Sequence, residues 1–292
     1  MTKNLLGLFG LKWNPFLPEI PTEALYVSPR IEHYAFRLEQ KVRDGGFALI
    51  TGLPGLGKSK ALHVIAERLG GMRDVTVAVM EHPRMGISDF YRAMGDLFGV
   101  SLGQRNRWGG FKALRERWQA HIEATLMRPV LLLDEAQETY DEILAELRIL
   151  TSASFDSRCL LTTVLCGDQR LAERLGGESL TALGSRIRPR LHLEPASAQE
   201  LGAFLRHACE KAGNARLMTA ELIAVVAEHA AGNYRVACNM AADVLAAGAE
   251  REVKQLDEKL YLEVFTLTDR NAGRPRTAAA AAANGPSARR AR

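Results

Sequence analysis

Residues 52 to 59 read Gly52-Leu53-Pro54-Gly55-Leu56-Gly57-Lys58-Ser59, a complete G-x-x-x-x-G-K-[ST] run. No other segment constrains the fold as strongly. Residues 47–51 before it are strand-like, and residues 60–69 after it have helical spacing. A strand, a glycine-rich turn and a helix N-terminus, in that order, arrange successive backbone N–H groups into a cradle for a polyphosphate. Lys58 is then placed to reach the β- and γ-phosphates, and the Ser59 hydroxyl to hold Mg²⁺. The expectation is a nucleoside triphosphate bound along Gly52–Ser59, through Gly52, Leu53, Pro54, Gly55, Leu56, Gly57, Lys58 and Ser59.

The rest of the chain supplies the sheet that such a loop needs. Buried strands are expected at residues 74–81, 129–135, 159–166 and 190–193, with helices at 31–43, 88–98, 111–126 and 140–151 between them. Ser88 is a candidate N-cap. This alternation predicts an α/β fold with a parallel sheet covered by helices on both faces. The fourth strand is expected beside the third. From Ser197 onward the pattern is helical only, at 198–212, 219–230, 235–249 and 256–265, and Ser197 with Glu200 forms a capping-box pattern. The expected organisation is an irregular lead-in at 1–29, an α/β nucleotide-binding domain at 30–195, a small all-α lid at 196–267, and a disordered arginine- and alanine-rich tail at 268–292.

A second constellation carries the chemistry. Residues 130–133 are apolar and lead into Asp134 and Glu135. A carboxylate at a strand end beside a phosphate loop suits Mg²⁺, which assigns Asp134 to the metal. Glu135 is positioned to act as general base on an attacking water. The polar tip at Gly167-Asp168-Gln169 offers Asp168 as a sensor of the terminal phosphate. Arg186 precedes the last strand, where a guanidinium can reach the γ-phosphate bound by a neighbouring subunit. Arg188 and Arg190 compete for that role. Arg235 opens a helix of the C-terminal part, from which it can contact the nucleotide.

Phosphate loop, Asp-Glu strand, polar-tipped strand, pre-strand arginine and lid arginine occur in the order found in AAA+ ATPases, which this chain resembles over roughly residues 10 to 267. Within that superfamily, four segments are similar to the group that holds secretion-pathway A-type ATPases and DNA-transposition helpers. These are Trp13-Asn14-Pro15-Phe16, Leu25-Tyr26-Val27-Ser28, Asp134-Glu135-Ala136-Gln137, and the run 164–171. The resemblance implies ATP hydrolysis with Mg²⁺, catalysis by Lys58, Glu135 and Arg186, Tyr26 near the adenine, and ATP-dependent self-association. One departure is Lys60, where a threonine is common, which adds a basic group beside the phosphates.

Charge bears on the partner. The chain carries a net charge of +4, but six arginines and no acid follow Asp269, and without them 32 basic residues face 34 acidic ones. Any affinity for nucleic acid must therefore be local. Arg105, Arg107, Lys112 and Arg115 cluster in a segment able to track phosphates without sequence preference. Arg274 and Arg276, in Gly273-Arg274-Pro275-Arg276, resemble a minor-groove hook. Secretion-type members continue into a transmembrane helix, whereas no stretch here reaches the ~20 apolar residues that span a bilayer. The expectation is a cytoplasmic, membrane-independent transposition helper that binds double-stranded DNA and stimulates a partner transposase or recombinase. The alternative is a secretion-type or signalling ATPase acting on a protein. The four scattered cysteines are expected as reduced thiols.

Overall fold

The computed structural model describes residues 2–81, 83–101, 107–154 and 157–272. In chain order these hold α1 (Thr2–Phe9), α2 (Pro29–Asp44), β1 (Gly46–Gly52), α3 (Lys58–Gly70), β2 (Val75–Met80), α4 (Ile87–Phe98), α5 (Arg107–Thr125) and β3 (Arg128–Leu133). There follow α6 (Asp141–Thr151), β4 (Ser152–Ala153), β5 (Arg158–Cys159), β6 (Thr162–Gly167), α7 (Gln169–Gly176), α8 (Thr181–Gly184) and β7 (Ile187–Leu193). The last four helices are α9 (Ala198–Lys211), α10 (Ala220–His229), α11 (Tyr234–Glu250) and α12 (Glu258–Ala272).

Five strands pair in the order β2-β3-β6-β1-β7, every pairing parallel. The central strands are buried on both sides, which explains their unbroken apolar runs. Successive residues feed opposite cores. Phe47 and Leu49 join Leu131, Leu133 and Leu165 beneath α4, α5 and α6, with Phe90, Trp118 and Leu147 filling the layer. Ala48 and Ile50 join Val130, Leu132 and Val164 beneath α2 and α3, against Leu38 and Ile65. This is the two-sided α/β sandwich that the alternation of elements implied.

Strand adjacency builds the site. Leu133 of β3 pairs with Leu165 of β6, and Ile50 and Thr51 of β1 pair with Cys166 and Gly167. The segments that follow β1, β3 and β6 therefore emerge side by side at the carboxyl edge of the sheet, where open α/β sheets bind ligands. The fourth strand does lie beside the third.

Several elements differ from the sequence reading. The expected strand 159–166 is divided: Cys159 pairs antiparallel with Ser152 in a small hairpin, and β6 starts only at Thr162. Leu160 N–H donates to Thr151 O at 2.8 Å, so the chain turns where a continuous apolar run suggested an extended strand. Ser88 lies inside the first turn of α4, whose N-cap is Gly86 and carries no side-chain cap bond. Helix α7 was not anticipated, and α12 continues past Phe265 to Ala272. The capping box of α9 is present with both reciprocal bonds.

The lead-in also departs from expectation. It begins with helix α1, and Phe9, Leu11 and Phe16 are buried in the same apolar cluster as Leu201, Leu205, Leu222 and Val244 of the C-terminal helices. Lys12 N–H donates to Ala212 O at 2.8 Å, and Asn214 Nδ2 to Phe9 O at 2.8 Å. An eight-residue helix is too short to persist alone. Its partners lie some two hundred residues away, so local pattern gave no sign of it. Phe9→Ala is expected to lower stability by about 3 kcal/mol, the ordinary cost of emptying a buried phenylalanine site. Urea unfolding measures this, and an unchanged midpoint would show that the segment does not hold the helices together.

Candidate functional site

Strand β1 ends at Gly52, and α3 starts at Lys58 with Gly57 as its N-cap. Gly55 and Gly57 have φ of 85° and 90°, the left-handed region where a side chain is strained. The open N–H groups of the first turn of α3 and the loop amides thus meet at one point, which suits a phosphate chain. Lys58 is nearly buried, and its Nζ donates to Leu53 O at 3.2 Å. In this arrangement the loop carbonyl holds the ammonium that a phosphate would otherwise draw in.

The C-terminal helices reach the same loop. Asn233 caps α11 by accepting from Arg235 N–H at 3.0 Å and Val236 N–H at 3.2 Å. Its Nδ2 donates to Pro54 O at 3.0 Å, and Arg235 N–H also reaches Gly55 O at 3.2 Å. A Cβ on Gly55 would stand 2.3 Å from Asn233 Oδ1. The loop glycine is therefore required twice, once by its backbone and once by the lid seated on it.

Asp134 and Glu135 follow β3. Asp134 N–H donates to Met80 O at 3.0 Å, and Asp134 Oδ1 accepts Glu135 N–H at 2.9 Å. Cys166 of β6 is buried next to Asp134; burial first, then the Asp134 charge, push its thiol well above the usual range, so it stays a neutral neighbour of the carboxylate. Asp168 caps α7, with Oδ1 accepting Arg170 N–H at 2.9 Å and Oδ2 accepting Arg170 Nε–H at 2.8 Å. Burial works against its charge, but the Arg170 bonds prevail and hold its carboxyl below the ordinary range. The Arg170 guanidinium also reaches Glu138 at 3.0 Å.

These groups surround a cleft of about 560 Å³ between the sheet edge and the helical part. Of the residues singled out from sequence, Tyr26, Pro54, Gly55, Leu56, Gly57, Lys58, Ser59, Glu135, Asp168 and Arg235 line it. Gly52 is the buried end of β1, Leu53 is exposed beside the loop, and Asp134 sits half-buried at the end of β3. Tyr26 packs edge-on to Phe204 at 6.0 Å and to His207 at 5.6 Å, and Phe204 continues edge-on to Tyr234 at 5.1 Å. Tyr26, Phe204 and Tyr234, with Phe16, Leu25 and Ile31, give the cleft the apolar part of its lining. The four cysteines are thiols.

Arg186, Arg188 and Arg190 are exposed and lie outside the described lining of the cleft. Arg186 donates to Ala182 O and Arg190 to Gly184 O, the latter at 2.7 Å. Of the basic segment, Arg107 is ion-paired with the buried Glu146, which also accepts Tyr91 O–H at 2.5 Å. Arg115 donates to Ile149 O, Leu150 O and Ser152 O and lies 5.0 Å from the Phe111 ring centre. Lys112 pairs with Glu116 along α5 at 3.7 Å. These three cations thus serve this chain's own structure. Arg105, Arg274 and Arg276 lie outside the described residues.

Sequence reasoning gave no role to Gln137, Arg170, Asn233, Phe204 or Tyr234. Asn233 had a legible signal, an N-cap residue after glycine and two before Arg235. The others face the cleft only because the strand tips and helices converge.

The fold and the cleft define an AAA-type P-loop ATPase domain. Residues 41–175 match an AAA domain family. The chain is 32% identical over 209 residues to general secretion pathway protein A of Aeromonas hydrophila, an alignment that takes in 70% of this chain and 37% of that protein. It spans little more than a third of that relative. Among solved structures it is similar to Cdc6p of Pyrobaculum aerophilum, with a TM-score of 0.69 at 14% identity over 89% of this chain and 74% of that one. The ORC1 protein of Aeropyrum pernix in complex with DNA gives 0.64 at 17%, over 88% and 69%. The RuvB Holliday junction branch migration motor of Thermotoga maritima gives 0.57 at 16%, over 87% and 73%. At such identities the likeness is one of fold.

Gly55→Ala is expected to weaken ATP binding at least about tenfold while leaving the helical content intact, because the new methyl strains the loop and strikes Asn233. Calorimetry with ATP measures it. Unaltered affinity would mean that the loop does not close on phosphate in this form.

Proposed function

We propose that the chain hydrolyses ATP with Mg²⁺ and uses nucleotide state to assemble copies of itself on duplex DNA, where it assists a transposase or recombinase. The single observation that carries the ATPase part is the cleft itself, where the glycine loop, Glu135, the β6 tip and the first turn of α11 converge. Residues 30–195 would carry the nucleotide and residues 196–267 the lid.

The donor set fits a phosphate-bound Mg²⁺. The Ser59 hydroxyl on the first turn of α3 and Asp134 at the end of β3 are two oxygen donors at the carboxyl edge of the sheet, enough for an ion that keeps waters and takes substrate phosphates. No group of three or more His, Cys, Asp or Glu able to hold a metal occurs among the described residues, so a closed protein cage is not the form of this site. The ion would supply positive charge at the β- and γ-phosphates. Lys58 leaves the Leu53 carbonyl to neutralise the same oxygens. Glu135 takes the proton of the attacking water. The Asp168 carboxylate is covered by Arg170, so the β6 tip meets the nucleotide as a near-neutral pair instead of a bare anion. Arg186 of a neighbouring copy completes the charge stabilisation, consistent with its position outside this chain's own cleft.

DNA as the assembly surface draws support from the ORC1 protein, whose solved structure is a complex with DNA, and from the branch-migration motor, which share this fold. Trp108 adds a local feature: it is 71% exposed, stacked on Phe111 at 5.5 Å, at the start of the cation-bearing helix α5. A second reading, a secretion-pathway ATPase acting on a protein partner, is favoured by the Aeromonas relative. Among the described residues no helix is long and apolar enough to cross a membrane.

Sedimentation with non-specific duplex DNA separates the two readings. Co-sedimentation that needs ATP and weakens steeply with salt is expected. No binding with ATP at low ionic strength would overturn the DNA reading and leave the protein-partner one. For the chemistry, Glu135→Gln is expected to retain ATP binding, lower turnover by about a hundredfold or more and prolong the assembled state. Arg186→Ala is expected to lose turnover alone and regain part of it when mixed with Glu135→Gln subunits. Absence of rescue would mean that the arginine acts within one subunit or is a different residue.

A further inference from the structure

Gln137 occupies the short 3-10 turn Ala136–Glu138 after β3 and is 8% exposed. Its side-chain amide is engaged at both ends: Nε2 donates to Glu135 Oε2, and Oε1 accepts the backbone N–H of Asp168 at 3.1 Å. A primary amide has one donor end and one acceptor end, so a single orientation satisfies carboxylate and N–H together. The seat is tight. A Cβ on Gly167 would stand 2.6 Å from Gln137 Oε1, so the β6 tip admits the amide because residue 167 has no side chain.

The turn that carries Gln137 is itself clamped. Arg174 of α7 donates to Gln137 O and to Thr139 O, each at 2.6 Å, and its charge is balanced by Asp141. Glu135 has a left-handed backbone, with φ of 48°, which a non-glycine residue keeps only when its surroundings hold it there. The hydrogen bond donated by the Gln137 amide holds the carboxylate end of this residue.

We infer that Gln137 is a positioning residue, which holds the Glu135 carboxylate and ties it to the tip of β6 so that the two move as one unit. The inference rests on the reading of Glu135 as general base given above. Asp168 at the β6 tip lines the cleft together with the glycine loop and Glu135, so a ligand held there meets the tip directly. Through the Gln137 amide, a shift of the tip would be passed to Glu135. Leucine at 137 would fill the space and lose both bonds. Glutamate would keep an acceptor for Asp168 N–H but set a second carboxylate against Glu135.

The test is steady-state turnover of the full chain with Mg²⁺ and ATP. Gln137→Leu and Gln137→Glu are each expected to lower kcat about tenfold or more, with KM for ATP within about threefold of the parent. In the Glu135→Gln background, Gln137→Leu is expected to change the residual rate by less than about twofold, because a residue acting through Glu135 has nothing left to act on. A purely structural role would cost the same factor in both backgrounds, and that result overturns the inference, as does a parental kcat in both single variants. Binding of ATP by each variant reports that it is folded. If Glu135→Gln alone leaves kcat unchanged, the general-base reading fails and the coupling with it. If Glu135→Gln removes turnover and the Gln137 variants do not, only the coupling fails.

Discussion

The loop between β1 and α3 can wrap a phosphate chain only because Gly55 carries no side chain. Its backbone occupies the left-handed region, and the Asn233 amide fills the space where a Cβ would sit. Much of the molecule is arranged around that contact. The sheet delivers the loop at its carboxyl edge, the first turn of α11 is seated on it through Asn233 and Arg235, and the N-terminal segment packs among the same helices as α11. The first turn of α11 thus meets the loop through one backbone and one side-chain N–H, both donated to loop carbonyls, rather than through long flexible side chains. Such contacts are contiguous and discrete, as coupling between sites requires.

Beside the loop, the tips of β3 and β6 form one polar assembly. Asp168 spends its carboxylate on capping α7 and on Arg170, Arg170 reaches Glu138, and Arg174 secures the turn between them. Both ends of the Gln137 amide and the Asp168 carboxylate have partners, and polar contacts of this kind rigidify such a network. The same economy governs α5. Arg107 neutralises the buried Glu146, and Arg115 satisfies the carbonyls at the end of α6. The described cations of this segment bond to this chain's own groups, while Arg107, Lys112 and Trp108 remain exposed on α5.

The elements that were legible before folding share one property: their signal is local. The glycine loop, the apolar runs of β1, β2 and β3, the Asp134-Glu135 pair and the Ser197–Glu200 capping box each fit within a few residues, and each stands where its pattern put it. The elements that were not legible depend on remote partners. Helix α1 is held by helices at the far end of the chain. Strand β6 starts late because Leu160 bonds back to Thr151. Helix α7 was hidden behind a segment read as a polar tip, although Asp168, Leu171 and Leu175 have the spacing of a capped amphipathic turn.

The sequence by itself therefore determined that a P-loop after a buried strand, an acidic strand end and a C-terminal helical region belong to this chain. Backbone conformation and side-chain chemistry at those positions admit little else. Only the tertiary structure decided which groups stand in one cleft. The order β3-β6-β1 is a property of the sheet, and the pairing of β3 with β6 brings Gln137, two residues beyond Glu135, to the Asp168 N–H. The tertiary structure also seats Asn233 on a glycine 178 residues earlier in the chain. Bonds of that reach exist only after the sheet has closed its two cores, because burial of the strands fixes where their ends emerge.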